Sequence, residues 1–257
     1  TTRLVGSEMC IRDRFTMEDV PVLYEDKHII VVVKPQNMPS QEDKSGDTDL
    51  FNLLKEYIRQ KYDKQGNVFL GLVHRLDRTT GGLMVFAKNS KCAARLSEAI
   101  KNGEVDKRYL AVLVGKPREK SATLVNYLKK NSLTNTVYVA TETTEGAKRS
   151  ELSYKLLDSV DDVISLVKIK LETGRSHQIR VQFSCRGLPV FGDARYGGNT
   201  LMKGANLALW AAELSFLHPV TKDRMVFVSY PPEDNEPWKK FNLEKYLDYG
   251  HFNSQID

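Results

Sequence analysis

Hydrophobic residues in the first third of the chain follow β-type and helix-type patterns in turn. Residues 20–34 predict two strands around an acidic turn, and the second, Ile29–Val33, is a β-branched run typical of a strand buried on both faces. Apolar residues then recur at helical spacing after Asp47 or Thr48, either of which is a suitable N-cap. A second helix is predicted from Ser90, as its N-cap, to a stop at Gly103.

The remainder of the chain is predicted to be mainly strand. Strands are expected near residues 69–73, 83–87, 106–114, 123–128, 136–140, 150–157, 163–171, 207–216 and 224–228. A helix is predicted over Ser176–Cys185 and an amphipathic one near Pro237–Leu247. Strands that alternate irregularly with helices indicate the α+β class and not a regular βαβ series.

Composition narrows the functional classes without selecting one. The 257 residues are 41% hydrophobic and 28% charged, and no apolar run approaches the length that spans a bilayer. The net charge of +5 permits a polyanionic partner. Three widely separated cysteines, Cys10, Cys92 and Cys185, contain no CxxC pair, so zinc and disulfide frameworks are not expected and the cytoplasm is the simplest compartment. No glycine-rich phosphate loop follows a strand.

The N-terminal segment is interpreted separately from the rest. Residues 1–14 have neither a signal-peptide pattern nor any structural period, and they resemble the translation of a sequencing adapter fused to the gene. We therefore expect residues 1–16 to be a non-native extension that includes Cys10, and residues 17–257 to form one domain.

The richest polar segment is VHRLDRTTGG, from Val73 to Gly82, which lies between two apolar strands. Asp77 is flanked there by Arg75 and Arg78, and a carboxylate beside guanidinium groups stays ionised and can act as a nucleophile. A solvated turn aspartate that pairs with its neighbour is the alternative.

Two further segments combine charge with possible ligand contacts. In LETGRSHQIRV a Thr-Gly turn leads into a helix whose first turns carry Arg175 and Arg180, suited to phosphate or to a carboxylate; a merely polar helix face is the alternative. In DKRYLAV, strand alternation places Lys107 and Tyr109 on one face, where the ring could stack on a base or simply be half buried.

Together these segments, in this order, resemble the RluA family of pseudouridine synthases. HRLD before Thr80-Gly81-Gly82 resembles the nucleophile motif of that family, DKRYLA its tyrosine motif, and LETGRSHQIRVQFSCRGLPVFGDARYGG its arginine motif with the following loop. VLYEDKHIIVVVKPQNMPS and ALWAAELSFLHP resemble its first strands and last core strand, so the resemblance covers about residues 20–232.

The chain departs from the family pattern at three positions. Gly81 stands where serine is usual, Ser176 where threonine is commoner and Gln182 where histidine is commoner. The last two are expected to alter RNA contacts without removing a catalytic group. The resemblance is to the compact form, without the S4-type RNA-binding domain of larger members.

The resemblance implies a mixed, mainly antiparallel central sheet with flanking helices, and it implies the roles of individual residues. Asp77 would start the reaction, by attack on the sugar, by attack on the base or as a base at the sugar; Arg180 would pair with it and Tyr109 would stack on the uracil. The residues expected to bind substrate are Arg75, His74, Arg175, His177, Gln178, Lys107 and, as an apolar wall, Leu214. Lys34, Lys88, Arg108 and Arg175 are expected to hold phosphates.

The implied partner is RNA, with ribosomal RNA the first expectation and transfer RNA the second. No cofactor, no metal and no membrane contact are expected, and a monomer is the default. Two other classes stay open: a non-catalytic RNA-binding protein on the same fold, and a hydrolase or metal enzyme that uses His74, Asp77 and His177.

Overall fold

The computed structural model describes residues 15–198 and 204–247. The described helices are α1 (Leu50–Lys61), α2 (Ser90–Lys101) and α3 (Gln178–Ser184), with 3-10 turns at Met17–Asp19 and Trp238–Lys240. The described strands are β1 (Val22–Glu25), β2 (Ile29–Lys34), β3 (Gly71–Leu72), β4 (Gly81–Ala87), β5 (Asp106–Val114), β6 (Ser121–Asn131), β7 (Thr136–Ala140), β8 (Lys148–Val160), β9 (Ile164–Leu171), β10 (Leu209–Leu217) and β11 (Arg224–Val228). None of the described helices is both long and apolar enough to cross a bilayer.

The described strands form one sheet in the order β1-β2-β4-β10-β5-β9-β8-β6-β7, with β11 beside β10 and β3 beside β4. The pairings in this sheet are antiparallel except for a short parallel contact between β4 and β10, where Gly81 and Gly82 face Trp210 and Ala211. The predicted α+β class and mainly antiparallel sheet are therefore confirmed.

Both faces of the central strands are buried, as the apolar runs predict. In β5, Tyr109 and Ala111 belong to the core under α1 and α3, whereas Leu110 and Val112 pack beneath the C-terminal segment. Strand β2 behaves likewise, and its residues Ile29–Val32 are fully buried. The prediction of a strand covered on both faces is confirmed there.

The structure corrects the N-caps of two helices and the extent of two others. Asp49 caps α1 in place of Asp47 or Thr48, and Asn89 caps α2 in place of Ser90.

The helix expected near Pro237–Leu247 is instead a 3-10 turn, Trp238–Lys240, followed by turns. The segment after this 3-10 turn is anchored in the core by the buried side chains of Phe241, Leu243 and Leu247. Its apolar residues therefore reflect packing and not a continuous helix. The helix expected over Ser176–Cys185 begins only at Gln178, because His177 has a left-handed backbone, with φ of 51°.

The boundary expected at Met17 stays a prediction, since residues 1–14, Cys10 included, lie outside the described residues. Of the two described residues before Met17, Phe15 packs against the core and Thr16 caps the first 3-10 turn. Both contacts tie the chain to the domain slightly upstream of the expected boundary.

Candidate active site

The proposed nucleophile, Asp77, lies in a tight loop that side chains from another part of the chain hold in place. The loop closes with the Thr80 N–H donating to the Asp77 carbonyl at 3.0 Å. Ser40 bonds both the N–H and the carbonyl of Leu76, at 3.2 and 2.8 Å. Lys34 Nζ donates to the Arg78 carbonyl at 3.1 Å. The main chain on both sides of Asp77 is thus fixed by the segment after β2.

Asp77 is on the lining of a groove of about 1650 Å³. Its carboxylate is 29% exposed, and its Oδ2 lies 3.5 Å from Arg180 Nη1 and 3.9 Å from His177 Nε2. Tyr109 lines the same groove, and its ring is almost completely buried. The structure therefore brings together the three side chains that the sequence predicts as catalytic.

The guanidinium of Arg180 is held mainly by a second carboxylate. Arg180 Nε and Nη2 donate to the two oxygens of Asp193, both at 2.7 Å. Burial opposes the charge of each group, but this bidentate bond raises the pKa of Arg180 and lowers that of Asp193. Asp193 also accepts the N–H groups of Arg195 and Tyr196, both at 3.0 Å. Arg180 is therefore a fixed cation that offers Nη1 to Asp77.

His177 connects Asp77 to Tyr196. His177 Nδ1 lies 2.6 Å from the Tyr196 hydroxyl, which accepts the Val137 N–H of β7 at 2.9 Å. Burial, with Arg180 and Arg195 nearby, lowers the pKa of His177 against the opposing effect of Asp77. The ring is therefore neutral near pH 7, and its Nε2 faces the carboxylate.

Tyr109 and Lys107 are on the groove wall formed by β5. Burial, reinforced by the charge of Asp77, raises the pKa of the Tyr109 phenol well above its usual value. Burial lowers the pKa of Lys107. The phenol is therefore neutral over the physiological range, as a stacking ring requires.

Several expected substrate contacts are used within the fold instead. His74 Nε2 accepts the Val85 N–H at 3.1 Å, and burial with the nearby Lys107 lowers the pKa of His74 to about 3. The Gln178 amide bonds Thr173, the Arg175 N–H and the Glu151 carbonyl. Both residues line the groove, but these polar groups hold its walls together.

Leu214 and two of the expected phosphate ligands are elsewhere. Leu214 is 1% exposed in the core under α2 and does not line the groove. The expectation that it forms an apolar wall of the substrate site is therefore wrong. Lys34 is fully buried, and Lys88 is bound to Glu25 at 2.6 Å with only 6% of its side chain exposed. The expectation that these two lysines hold phosphates is wrong, because their ammonium groups are already bonded to groups of the protein.

Of the three arginines expected to contact RNA, two line the groove and one does not. Arg75 and Arg175 are exposed and line it, whereas Arg108 is engaged by Asp106 at 2.9 Å. Gln182 is fully buried and bonds the Leu124 carbonyl, so its departure from the family pattern bears on packing and not on RNA contacts.

Sequence reasoning gave no role to Asp193 or Tyr196, although both lie in the loop after the arginine motif. A buried arginine requires a carboxylate partner, and GDARY supplies one 13 residues beyond Arg180. For Tyr196 no sequence signal exists, because its partners come from β7 and α3 through tertiary packing.

The possible metal site does not form. Within residues 15–198 and 204–247, no three His, Cys, Asp or Glu side chains are grouped so that they could hold a metal ion. His74 in particular faces β4 and not Asp77. The trio His74, Asp77 and His177 therefore does not converge.

Comparison with known proteins gives matches along most of the chain. The family model for RNA pseudouridylate synthase matches residues 28–185. An uncharacterized RNA pseudouridine synthase, YjbO of Bacillus subtilis, is 34% identical over 230 residues, covering 87% of this chain and 77% of the relative. Ribosomal large subunit pseudouridine synthase D of Zymomonas mobilis is 31% identical over 229 residues, covering 84% and 71%.

A solved structure shows the same fold. Human RNA Pseudouridylate Synthase Domain Containing 4 superposes with a TM-score of 0.69 at 22% identity, covering 83% of this chain and 89% of that one. With the family match over more than half of the chain, these findings settle its class. The chain belongs to the RluA family of RNA pseudouridine synthases, isomerases that convert uridine in RNA to pseudouridine.

Proposed function

We propose that this chain isomerises specific uridines of ribosomal RNA in the cytoplasm, as a monomer and without a metal or cofactor, and that Asp77 is its nucleophile. The observation that carries the assignment of Asp77 is its carboxylate on the groove lining, 3.5 Å from a guanidinium that Asp193 already holds. Support for ribosomal RNA comes from the relative of Zymomonas mobilis, whose name specifies the large ribosomal subunit. Transfer RNA is the second candidate.

The reaction exchanges one bond for another within the nucleotide. The bond between ribose C1′ and uracil N1 breaks, the base turns, and C5 bonds to C1′ while the C5 proton is lost and N1 gains one. No electrons enter or leave and no group is donated from outside. The work left to the protein is to extract the uridine, to supply a carboxylate and to retain the detached uracil.

The groove has a group for each of these tasks. Asp77 supplies the carboxylate, whether it acts at the sugar or at the base, and Arg180 stabilises its charge from one side. The neutral ring of Tyr109 offers a face on which the uracil stacks while it turns. Extraction of the base costs about a few kcal/mol, and Arg75, which is exposed, is the proposed occupant of the vacated stack.

The test is Asp77→Asn, assayed by tritium release from RNA labelled at uridine C5. We expect no release and RNA affinity within about twofold of wild type, because the amide keeps the shape of the carboxylate but not its nucleophilicity. Asp161→Asn is a matched control, since Asp161 is exposed in the β8–β9 turn and its left-handed backbone suits asparagine. Substantial release by the Asp77 variant would defeat the assignment and would leave a different group as nucleophile.

The target class is tested separately. Pseudouridine mapping of cellular RNA with and without the gene should show sites that disappear from ribosomal RNA when the gene is absent. Loss confined to transfer RNA would contradict the ribosomal assignment while leaving the role of Asp77 intact.

A further inference from the structure

A chain of polar contacts leads from hairpin β6–β7 to the proposed nucleophile. The Val137 N–H donates to the Tyr196 hydroxyl at 2.9 Å, that hydroxyl lies 2.6 Å from His177 Nδ1, and His177 Nε2 lies 3.9 Å from Asp77 Oδ2. Tyr196 is itself fixed, because its N–H is bound by Asp193 and its carbonyl accepts the Ser184 hydroxyl at 2.6 Å.

We propose that His177 is a positioning residue for Asp77, and that Tyr196, docked against hairpin β6–β7, fixes the imidazole so that Nε2–H points at the carboxylate. This inference rests on the proposed role of Asp77. His177 Nε2 and Arg180 Nη1 both lie within 4 Å of the same oxygen, Oδ2. Two donors on one oxygen restrain rotation of the carboxylate and direct Oδ1 to the nucleotide.

The proposal requires one tautomer of His177. The Tyr196 oxygen accepts the N–H of Val137, and in the proposed arrangement the single proton of the phenol is donated to His177 Nδ1. A neutral imidazole that accepts at Nδ1 carries its proton at Nε2, the nitrogen that faces Asp77. The separation of 3.9 Å exceeds a hydrogen bond, and catalytic contacts of this kind shorten when substrate fills the site.

The hairpin is docked by packing as well as by this bond. Leu128 of β6 and Val137 of β7 form a small apolar cluster with Val181 of α3, and Tyr196 packs against it. The Tyr196 ring also lies 5.1 Å from the Arg180 guanidinium. Lys130 and Asn135 of the same hairpin line the groove. RNA bound in the groove would therefore contact the hairpin against which Tyr196 is docked.

The test compares His177→Gln with His177→Asn. The glutamine amide nitrogen is as many bonds from Cα as Nε2 and restores a donor toward Asp77, whereas the asparagine amide reaches only the Nδ1 position. The left-handed backbone of His177 favours asparagine over glutamine, so a purely structural role predicts the opposite ranking.

We expect kcat to fall by roughly 10- to 100-fold in His177→Asn and by no more than about threefold in His177→Gln, with KM for RNA within about twofold in both. Thermal unfolding of each variant shows whether the fold is kept. Equal losses, or an asparagine variant that outperforms the glutamine variant, would overturn the positioning role. Activity that survives Asp77→Asn would instead contradict the proposed function.

The part played by Tyr196 is tested by a double-mutant cycle. Tyr196→Phe keeps the ring in its apolar cluster and beside Arg180 but removes the hydroxyl. We expect kcat to fall about fivefold or more in the wild-type background, and to change by less than about twofold in the His177→Ala background. Tyr138→Phe, an exposed tyrosine on the same hairpin and outside the groove, is the control. The same loss from Tyr196→Phe in both backgrounds would show that Tyr196 does not act through His177.

Discussion

Some charged residues of the groove face the proposed nucleophile, whereas others form contacts that only stabilise the fold. Two arginines illustrate this difference. Arg180 is buried between Asp193 and Asp77, with Nη1 turned to the proposed nucleophile. Arg78, the direct neighbour of Asp77 in sequence, turns away to Asp47 and the Ser45 hydroxyl. Adjacency in sequence therefore does not identify the partner of the carboxylate.

This difference predicts that Arg180→Ala lowers kcat at least about 100-fold, whereas Arg78→Ala lowers it by no more than about threefold. Arg180→Ala leaves Asp193 buried and without its guanidinium partner. Arg180→Lys is therefore measured as well, because lysine keeps the positive charge but cannot contact Asp193 and Asp77 in the same bidentate way. Single-turnover assays with urea unfolding of each variant separate chemistry from stability. Equal losses in Arg78→Ala and Arg180→Ala would contradict the ion pair.

Lys34 shows the structural use of a charged residue. Its ammonium donates to the carbonyls of Pro35, Met38 and Arg78 at 2.9, 2.7 and 3.1 Å, and its side chain is fully buried. Lys34→Met would leave these carbonyls without this donor, so we expect it to lower the free energy of unfolding by roughly 2 to 4 kcal/mol. Lys27→Met, at an exposed position in the β1–β2 turn, should change it by less than about 0.5 kcal/mol.

The pH dependence of that effect has a definite sign. Burial lowers the pKa of Lys34 from 10.5 to about 7, with Asp77 opposing and Arg78 adding to the shift. Between these two values the unfolded chain binds a proton that the folded chain does not, so wild-type stability gains from rising pH there. The destabilisation by Lys34→Met, measured in urea at several pH values, should therefore grow across that window. A constant difference would show that Lys34 keeps its proton when folded.

At the scale of elements, the parallel contact between β4 and β10 determines where the Asp77 loop ends. Gly82 has φ of 113°, and a Cβ on it would lie 2.3 Å from the Ala211 carbonyl oxygen. A Cβ on Gly81 would lie 2.2 Å from the Trp210 ring, so the serine that is usual in the family would require this ring to move. The two glycines let β4 pass close to β10 directly after the nucleophile.

Gly82→Ala should therefore destabilise the fold by at least about 3 kcal/mol, since backbone strain adds to a backbone clash. Gly146→Ala is the matched control: its φ is also positive, at 75°, but a Cβ would meet open space, so a cost of about 1 kcal/mol is expected. Chemical denaturation of both variants makes the comparison. Similar losses would show that only the backbone angle matters and that β4 and β10 separate at little cost.

Strands were predicted more accurately than helices, for a physical reason. A β-branched run such as Ile29–Val33 has few alternatives to a buried strand, and β7 and β11 begin and end where the pattern indicates. The spacing of Leu243 and Leu247, four residues apart, suits a helix, but both side chains are instead anchored in the core by a segment of turns. Similarly, α3 starts late because of the left-handed backbone of His177, which its residue type does not reveal.

At the scale of the whole molecule, the fold class and the meeting of Asp77 with Arg180 followed from the family resemblance, but the supports of that pair did not. Tyr196 and Lys34 act over 59 and 44 residues of chain, through contacts that tertiary packing creates, and Asp193 reaches Arg180 over 13 residues. Conversely, Gln178 and Lys88 carry polar groups suited to RNA that the folded chain uses itself. Local patterns identify the chemistry, whereas tertiary packing decides which polar groups remain free for it.

The basic residues left exposed on the groove should determine how salt weakens RNA binding. Each phosphate neutralised releases counterions, so Arg175→Ala should make the slope of log K against log salt shallower by roughly 0.7 to 0.9. Lys155→Ala removes another exposed charge, on β8 and outside the groove, and should leave the slope unchanged. Filter binding from low to moderate salt measures both. Arg175 is exposed and its Nε bonds only a main-chain carbonyl, that of Arg149, so its charge is available to RNA. An unchanged slope in Arg175→Ala would mean that the RNA backbone follows a different path across the molecule.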